Sequence, residues 1–405
     1  MANGVKKKIV LAYSGGLDTS VAIRWLQEKY DADVVTMTMD LGANTALDDA
    51  RQRALRIGAI RADVIDAREE FVRDYVWPAL QAGAIYEGVY PLATALARPL
   101  IAKHLVRIAL EEQAFAVAHG CTGKGNDQVR FDVSTGALAP HLKVLAPARE
   151  WGMTRDQEID YARQRNLPLK INPRSAYSTD ENLWGRSIEA GDLEDPMNEP
   201  PEDAFDWTVS PAKAPNEPQY VEITFRDGLP VSVDGEALSP LQLVEHLHRL
   251  AGAHGVGRID HIENRLVGIK SREVYEAPAA AVLHAAHRAL EYMTLTKDQL
   301  RFKERMQQEY ADLVYNGLWF SAHRKDLDAY VRSTQQYVRG TVRVKLFKGQ
   351  ATVVGRDSDV ALYQHALATY DVGDTFDHRA AEGFINIYGL PVRTQARVQG
   401  KGLDK

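Results

Sequence analysis

The sequence predicts an α/β fold: a parallel-sheet domain first, an α+β domain after it, and an arm at the C-terminus. Three observations carry this. The apolar run Ile9-Val10-Leu11-Ala12 ends in Tyr13-Ser14-Gly15-Gly16, and helical spacing begins at Leu17. Strand-like and helical stretches then alternate to about residue 170. Beyond a proline-rich stretch the pattern changes to hairpins and separate helices.

Leu17, Val21, Ile23, Trp25 and Leu26 spell the first helix, to Glu28. Asp33 to Asp40 reads as a strand with Val34-Val35 and alternating methionines, and Ala46 to Ile57 as a charged helix with Ala50, Ala54 and Leu55 on one side. A short strand (Ala62 to Asp66), helices at Phe71 to Leu80 and Ala95 to Glu111, and a strand at Phe115 to Ala118 follow. Leu142 to Leu169 continues with a strand, a helix (Arg155 to Arg165) and a short strand. Strands separated by helices imply a parallel sheet covered on both faces, with ligands bound beyond the strands' C-terminal ends at a switch point.

Between Asp195 and Pro218 six prolines (196, 200, 201, 211, 215 and 218) mark an extended connection. With a boundary shortly before it, the expected domains are 1–170, 171–365 and 366–405. The second holds hairpins at Tyr220 to Phe225 with Pro230 to Val233, and at Gly340 to Phe347 with Gln350 to Gly355. It also holds helices at Pro240 to Leu250, Ala279 to Met293 and Thr296 to Asp312. Residues 380–405 carry few apolar anchors beyond Phe384, Ile385, Ile387 and Tyr388, which suits an arm.

Composition narrows the function class. The single cysteine, Cys121, excludes an internal disulfide and a cysteine zinc site and fits a reducing compartment, so a cytoplasmic location is expected. Lys6-Lys7-Lys8 before an apolar run imitates an export signal, but the run is too short. No stretch approaches the ~18 apolar residues of a membrane span. A net charge of −6 argues against a nucleic-acid partner. His246, His248 and His254 do not share a helical face, and His284 and His287 have no carboxylate cluster beside them, so no transition-metal site is expected.

Two glycine clusters carry the chemistry. In Ser14-Gly15-Gly16-Leu17-Asp18-Thr19-Ser20, glycines allow close backbone approach and the helix N-terminus faces the turn, which suits phosphate. Asp18 could hold magnesium or an amine. No lysine follows as in a Walker A loop, and the three-glycine dinucleotide spacing is missing. The stretch resembles the pyrophosphate loop of N-type ATP pyrophosphatases, which cleave ATP between the α- and β-phosphates. The second cluster, His119 to Arg130, puts Gly120, Gly123 and Gly125 after a strand, with Lys124 for phosphate, Arg130 for a carboxylate and Asp127 for an amine. Taken alone, Tyr90, Thr94 and Arg98 read as helix packing, Ser178 to Asn182 as a helix cap, and the charges from Gly257 to Glu276 as a solvated face.

Together with Gly257-Arg258-Ile259-Asp260 and Glu263-Asn264-Arg265, these clusters make the chain similar to the argininosuccinate synthase family. The resemblance implies that citrulline and aspartate are joined while ATP becomes AMP and pyrophosphate. Citrulline's ureido oxygen would attack the α-phosphorus and aspartate's amine the adenylated carbon, with magnesium on the phosphates and no protein nucleophile. By position, ATP would be held by Ala12, Tyr13, Ser14, Gly15, Gly16, Leu17, Asp18, Thr19, Ser20, Met39 and Gly120. Thr122, Asn126 and Asp127 would bind aspartate. Tyr90, Asn126, Arg130, Ser178, Ser187, Glu263 and Tyr275 would bind citrulline. Where some relatives place a contact serine this chain has Ala95, so a contact there is by backbone or is lost. A homotetramer with the C-terminal segment wrapped on a neighbour is also implied. Two alternatives stand beside this one. Another adenylating enzyme of the loop class, amide-forming or tRNA-modifying, would in the tRNA case be expected to carry basic patches or catalytic cysteines. A non-catalytic adenine-nucleotide sensor would not need the polar residues at 126–130, 178–187 and 263–275.

Overall fold

Ile9, Val10 and Leu11 are fully buried because their strand, β1 (Lys7–Ala12), has a strand on each edge and helices over both faces. A computed structural model describes residues 6–43, 46–169 and 177–400. In it α1 (Leu17–Tyr30), β2 (Ala32–Asp40), α2 (Leu47–Ile57) and β3 (Arg61–Asp66) lead away from β1 to one sheet edge. After α3 (Arg68–Phe71), a π-helical turn at Val72–Val76, α4 (Trp77–Ala82) and α5 (Ala93–Glu111), the chain returns to the other side of β1 as β4 (Ala116–Ala118). It then adds α6 (Asp127–Leu138) and β5 (Lys143–Leu145). The sheet is parallel, ordered β3-β2-β1-β4-β5, so the direction of winding reverses between β1 and β4. Alternation sorts the core: Ile9 and Leu11 pack with Ala22, Ile23, Ala50 and Ala54 on one face, and Val10 with Leu105 and Ala109 of α5 on the other.

Two helices, α7 (Pro147–Trp151) and α8 (Arg155–Gln164), complete this part, the second opened by a Thr154–Gln157 capping box. No strand forms at 165–169, where a short one is expected; the Leu167 N–H instead closes the end of α8 on the Ala162 carbonyl. The boundary expected near residue 170 lies outside the described residues.

The next part has two antiparallel sheets. One, ordered β11-β12-β7-β6, contains β6 (Ser178–Asn182), β7 (Gly185–Glu189), β11 (Arg258–Asn264) and β12 (Lys270–Glu276). The other, β10-β9-β8-β13-β14, contains the two expected hairpins: β8 (Gln219–Arg226) with β9 (Leu229–Val233), and β13 (Gly340–Phe347) with β14 (Gln350–Asp357); β10 is Glu236–Ala237. Against it pack α9 (Pro240–Ala253) and α10 (Pro278–Thr294), burying Leu243, Leu247 and Leu283 with Ile223, Phe225 and Val342. The helices α11 (Lys297–Tyr315) and α12 (Ala322–Gln335) follow α10.

Two sequence readings change here. Ser178 to Asn182 is a strand, not a helix cap. The charged stretch from Arg258 to Glu276 is a hairpin with one face in the molecule, not a solvated surface. Asp127 to Leu138, to which the sequence reading assigns no element, is a helix. The proline-rich connection is fastened by Glu276, fully buried, whose carboxylate accepts from the N–H groups of Asp206, Trp207 and Thr208 and from Arg186.

The described residues up to Val360 form one compact unit and those from Ala361 a second. The second holds α13 (His365–Ala368), α14 (His378–Tyr388) and α15 (Leu390–Gln399), with Phe384, Ile385, Ile387 and Tyr388 63–75% exposed. Among the described residues no helix is long and apolar enough to cross a membrane.

Candidate active site

The turn after β1 is built for close approach. Gly15 has φ +79°, and a Cβ on it would meet that of Ala50 at 3.2 Å. Gly16 opens α1 with no side-chain cap, which leaves first-turn N–H groups facing an exposed turn. The hydroxyls of Ser14 and Thr19 lie 3.1 Å apart over it, and Arg53 of α2 donates to the Gly15 carbonyl at 2.5 Å. Tyr13 and Ser20 are buried beneath, joined hydroxyl to hydroxyl at 3.0 Å, and the Tyr13 carbonyl accepts from Thr38.

The loop after β4 lies directly beside this turn. A Cβ on Gly120 would sit 2.7 Å from Thr19 Cγ2, so only glycine lets the two segments touch. His119 anchors the loop from below. Its Nδ1 accepts from the Cys121 N–H at 3.2 Å, so the proton is on Nε2, which donates to Asp132 at 2.9 Å. Gln128 reaches back to the Gly123 carbonyl at 2.5 Å. The loop tip, Thr122 to Lys124, is exposed.

From that tip the chain enters α6, whose first turn borders a cavity of about 120 Å³. The opposite wall is one face of the β11-β12-β7-β6 sheet. Registers Asp180↔Ser187, Ser187↔Tyr275 and Glu263↔Ser271 put Asp180, Ser187, Glu189, Glu263, Ser271, Glu273 and Tyr275 on that face. Tyr90, stacked on Tyr275 at 4.3 Å, and Tyr315 complete the lining.

Charge in the cavity is ordered. Arg130, 3% exposed, uses Nη1 on Asp127 (2.9 Å) and Nε on the Tyr315 carbonyl (2.9 Å), while its buried Nη2 has no hydrogen-bond partner among the described residues. Arg98 binds Asp127 at 2.8 Å and also Asp180. Burial pushes the Asp127 carboxyl up, but Arg98 and Arg130 outweigh it and hold it below the ordinary range. Glu263, also 3% exposed, accepts from Tyr275 and Tyr315 at 2.5 Å each and forms no ion pair among the described residues. An unfilled guanidinium donor and an unpaired buried carboxylate are what a zwitterion would satisfy.

Glu189 and Glu273 share one nitrogen of Arg265, at 2.5 and 2.6 Å. Burial first, and then the negative Glu189, push Glu273 from 4.5 up to about 7. A raised carboxyl stabilises the fold fully below its unfolded value, and that contribution is lost as pH climbs through about 7. Glu273→Gln, neutral at every pH, should therefore flatten the decline in Tm between about pH 5 and 8. An identical decline in both proteins would show that Glu273 ionises in the ordinary range.

Of the residues singled out from the sequence, the cavity gathers Tyr90, Asn126, Asp127, Arg130, Ser187, Glu263 and Tyr275. Thr122 and Ser178 are exposed outside its lining, and Ala95 is fully buried inside α5. Ala12, Met39 and Gly120 stand at or just beyond the C-terminal ends of β1, β2 and β4, the end that carries the glycine turn. Sequence reasoning places Arg265 in the Glu263-Asn264-Arg265 motif and Asp180 within Ser178 to Asn182 without giving either a role, and misses Glu189, Glu273 and Tyr315. Polar residues on both faces of the β11-β12-β7-β6 sheet leave no alternation of hydrophobicity to mark Asp180, Glu189 or Glu273, and Arg265 lies in the turn after β11.

A parallel sheet whose winding reverses at a glycine turn, with an uncapped helix behind the turn, defines a HUP-type nucleotide-binding enzyme whose second domain carries antiparallel sheets. Comparison with known proteins agrees. Residues 8–168 match the family model described as the arginosuccinate synthase N-terminal HUP domain, and residues 177–395 the one described as the arginosuccinate synthase C-terminal domain. Argininosuccinate synthase of Dehalococcoides mccartyi is 59% identical over 98% of this chain and 97% of its own length. That of Symbiobacterium thermophilum is 61% identical (97% and 98%), and that of Oceanobacillus iheyensis 56% (98% and 95%). The chain belongs to the argininosuccinate synthase family.

Proposed function

We propose that the chain ligates L-citrulline to L-aspartate at the expense of ATP, releasing argininosuccinate, AMP and pyrophosphate. The observation that carries this is the contact of Gly120 with Thr19. It joins the phosphate turn to the short loop that delivers Asn126, Asp127 and Arg130 to the cavity, so nucleotide and amino acid meet.

A ureido carbon is resonance-stabilised and its oxygen leaves poorly, which is why ATP is needed. In this reading, residues 12–20 with Met39 and Gly120 hold ATP, its departing phosphates on the turn. Arg130 Nη2 takes the citrulline carboxylate and Glu263 its ammonium group, with Tyr90, Asn126, Ser187 and Tyr275 around the chain and Ser178 at the rim. Thr122, Asn126 and Asp127 take aspartate. Citrulline's oxygen attacks the α-phosphorus, pyrophosphate leaves, and aspartate's amine displaces AMP from the adenylated carbon. The protein supplies alignment and fixed charge rather than a nucleophile.

Magnesium fits this site. Asp18, in the first turn of α1, is hydrogen-bonded to the buried Glu158 of α8, which burial first and then Asp18 push up to about 8. Paired carboxylates give the hard oxygen donors magnesium takes, and the ion would neutralise phosphate charge. The same reading has residues 1–170 binding nucleotide, 171–365 binding the amino acids, and 366–405 as an oligomerisation arm in a cytoplasmic homotetramer. The exposed apolar side chains of α14 support the arm.

AMP and pyrophosphate release should require citrulline, and argininosuccinate should require both amino acids. Release independent of citrulline would point to another adenylating enzyme, and nucleotide binding without release to a sensor.

A further inference from the structure

Tyr315 ends α11, 189 residues from Asn126, yet it is fully buried against the cavity. Its single hydroxyl proton goes to Glu263 Oε1 at 2.5 Å, since a carboxylate has none to give. The same oxygen must then accept from Asn126, and Asn126 Nδ2 lies 2.8 Å away. This fixes the amide: Oδ1 faces the Leu266 N–H, also at 2.8 Å, and one N–H and one lone pair have no partner among the described residues. The ring is stacked on Tyr86 at 3.6 Å, and the Arg130 guanidinium lies 4.9 Å from its centroid. Just beyond, Gly317 at φ +77° brings the chain so close that a Cβ there would meet Arg130 Cα at 2.9 Å. Burial first, and then the negative Glu263, push the Tyr315 hydroxyl well above the ordinary tyrosine range, so it remains a donor at working pH.

We propose that Tyr315 is a positioning residue of the citrulline site, its hydroxyl locking Asn126 and Glu263 into the orientations that receive the amino acid. The proposal rests on the functional reading above. It assigns Tyr315 no contact with the reacting atoms; the hydroxyl has no free proton, and it acts through its two neighbours.

The test is steady-state kinetics on the full chain, with Tm measured alongside. Tyr315→Phe keeps the ring on Tyr86 and removes one oxygen. It should raise the citrulline KM about ten- to a hundredfold, the loss expected for a hydrogen bond to a charged group, while kcat and the ATP KM stay within about threefold. Tyr86→Phe is the packing control. Its hydroxyl donates only to the Asn264 carbonyl among the described residues, so the citrulline KM should stay within about twofold. If Tyr315→Phe gives too little folded protein, Tyr315→Met keeps an apolar side chain with no hydrogen-bond donor and is read the same way. A citrulline KM unchanged in the Tyr315 variants, an ATP KM rising in step with it, or the same rise in Tyr86→Phe would overturn the proposal. A wild-type chain that releases AMP without needing citrulline would instead overturn the functional reading, and this proposal with it.

Discussion

Arg130→Ala should raise the citrulline KM by about two to three orders of magnitude and leave the ATP KM within about threefold. The guanidinium is buried and committed at two nitrogens, with the third buried beside the cavity and without a hydrogen-bond partner among the described residues. Removing it deletes the charged partner proposed for the citrulline carboxylate and leaves Asp127 with Arg98 alone. Losing one partner of a buried charge pair costs about 3–4 kcal/mol, and each 1.4 kcal/mol is about tenfold. Arg130→Lys keeps the charge but not the fork and should fall between the two. Equal effects on citrulline and ATP would place Arg130 on the nucleotide or in the scaffold. Such a result would remove the assignment.

Gly120→Val should lower kcat/KM for ATP by about a hundredfold. Its Cβ would lie 2.7 Å from Thr19 Cγ2, and Thr19 is buried at the start of α1 with its hydroxyl 3.1 Å from that of Ser14. Neither segment has room to yield, so the phosphate turn and the loop after β4 must part by about an ångström. Displacements of that size cost about two orders of magnitude when a reaction depends on alignment. Gly123→Val is the comparison, because a Cβ there meets nothing within 4 Å. If both variants kept wild-type ATP kinetics, the two loops would not share one nucleotide.

The expected α/β class is the class observed, and it was legible for a physical reason. Buried parallel strands such as Ile9–Leu11 and Val34-Val35 are apolar throughout, and the helices between them show one apolar side. The hairpins at 226–228 and 348–349 were legible from turn chemistry, with Asp227 and Lys348 preceding glycines at positive φ. The β11-β12-β7-β6 sheet was not. Its cavity side is polar, and its other side carries ion pairs, the buried Arg186–Glu276 and the part-exposed Arg272–Asp260, beside Ile188 and Val274. With polar residues on both faces, β6, β7, β11 and β12 show no alternation of hydrophobicity to read. α12 was missed because its buried face rests on little more than Leu327 and Val331.

By itself the sequence determined the glycine turn, its helix and the family. These depend on the dihedral freedom and hydrogen-bonding groups of residues adjacent in the chain, which local order specifies. Only the tertiary structure decided which polar side chains share the cavity. Asn126, Glu263 and Tyr315 come from three distant segments, and what brings them within hydrogen-bond reach is strand register and helix packing, which no single stretch encodes.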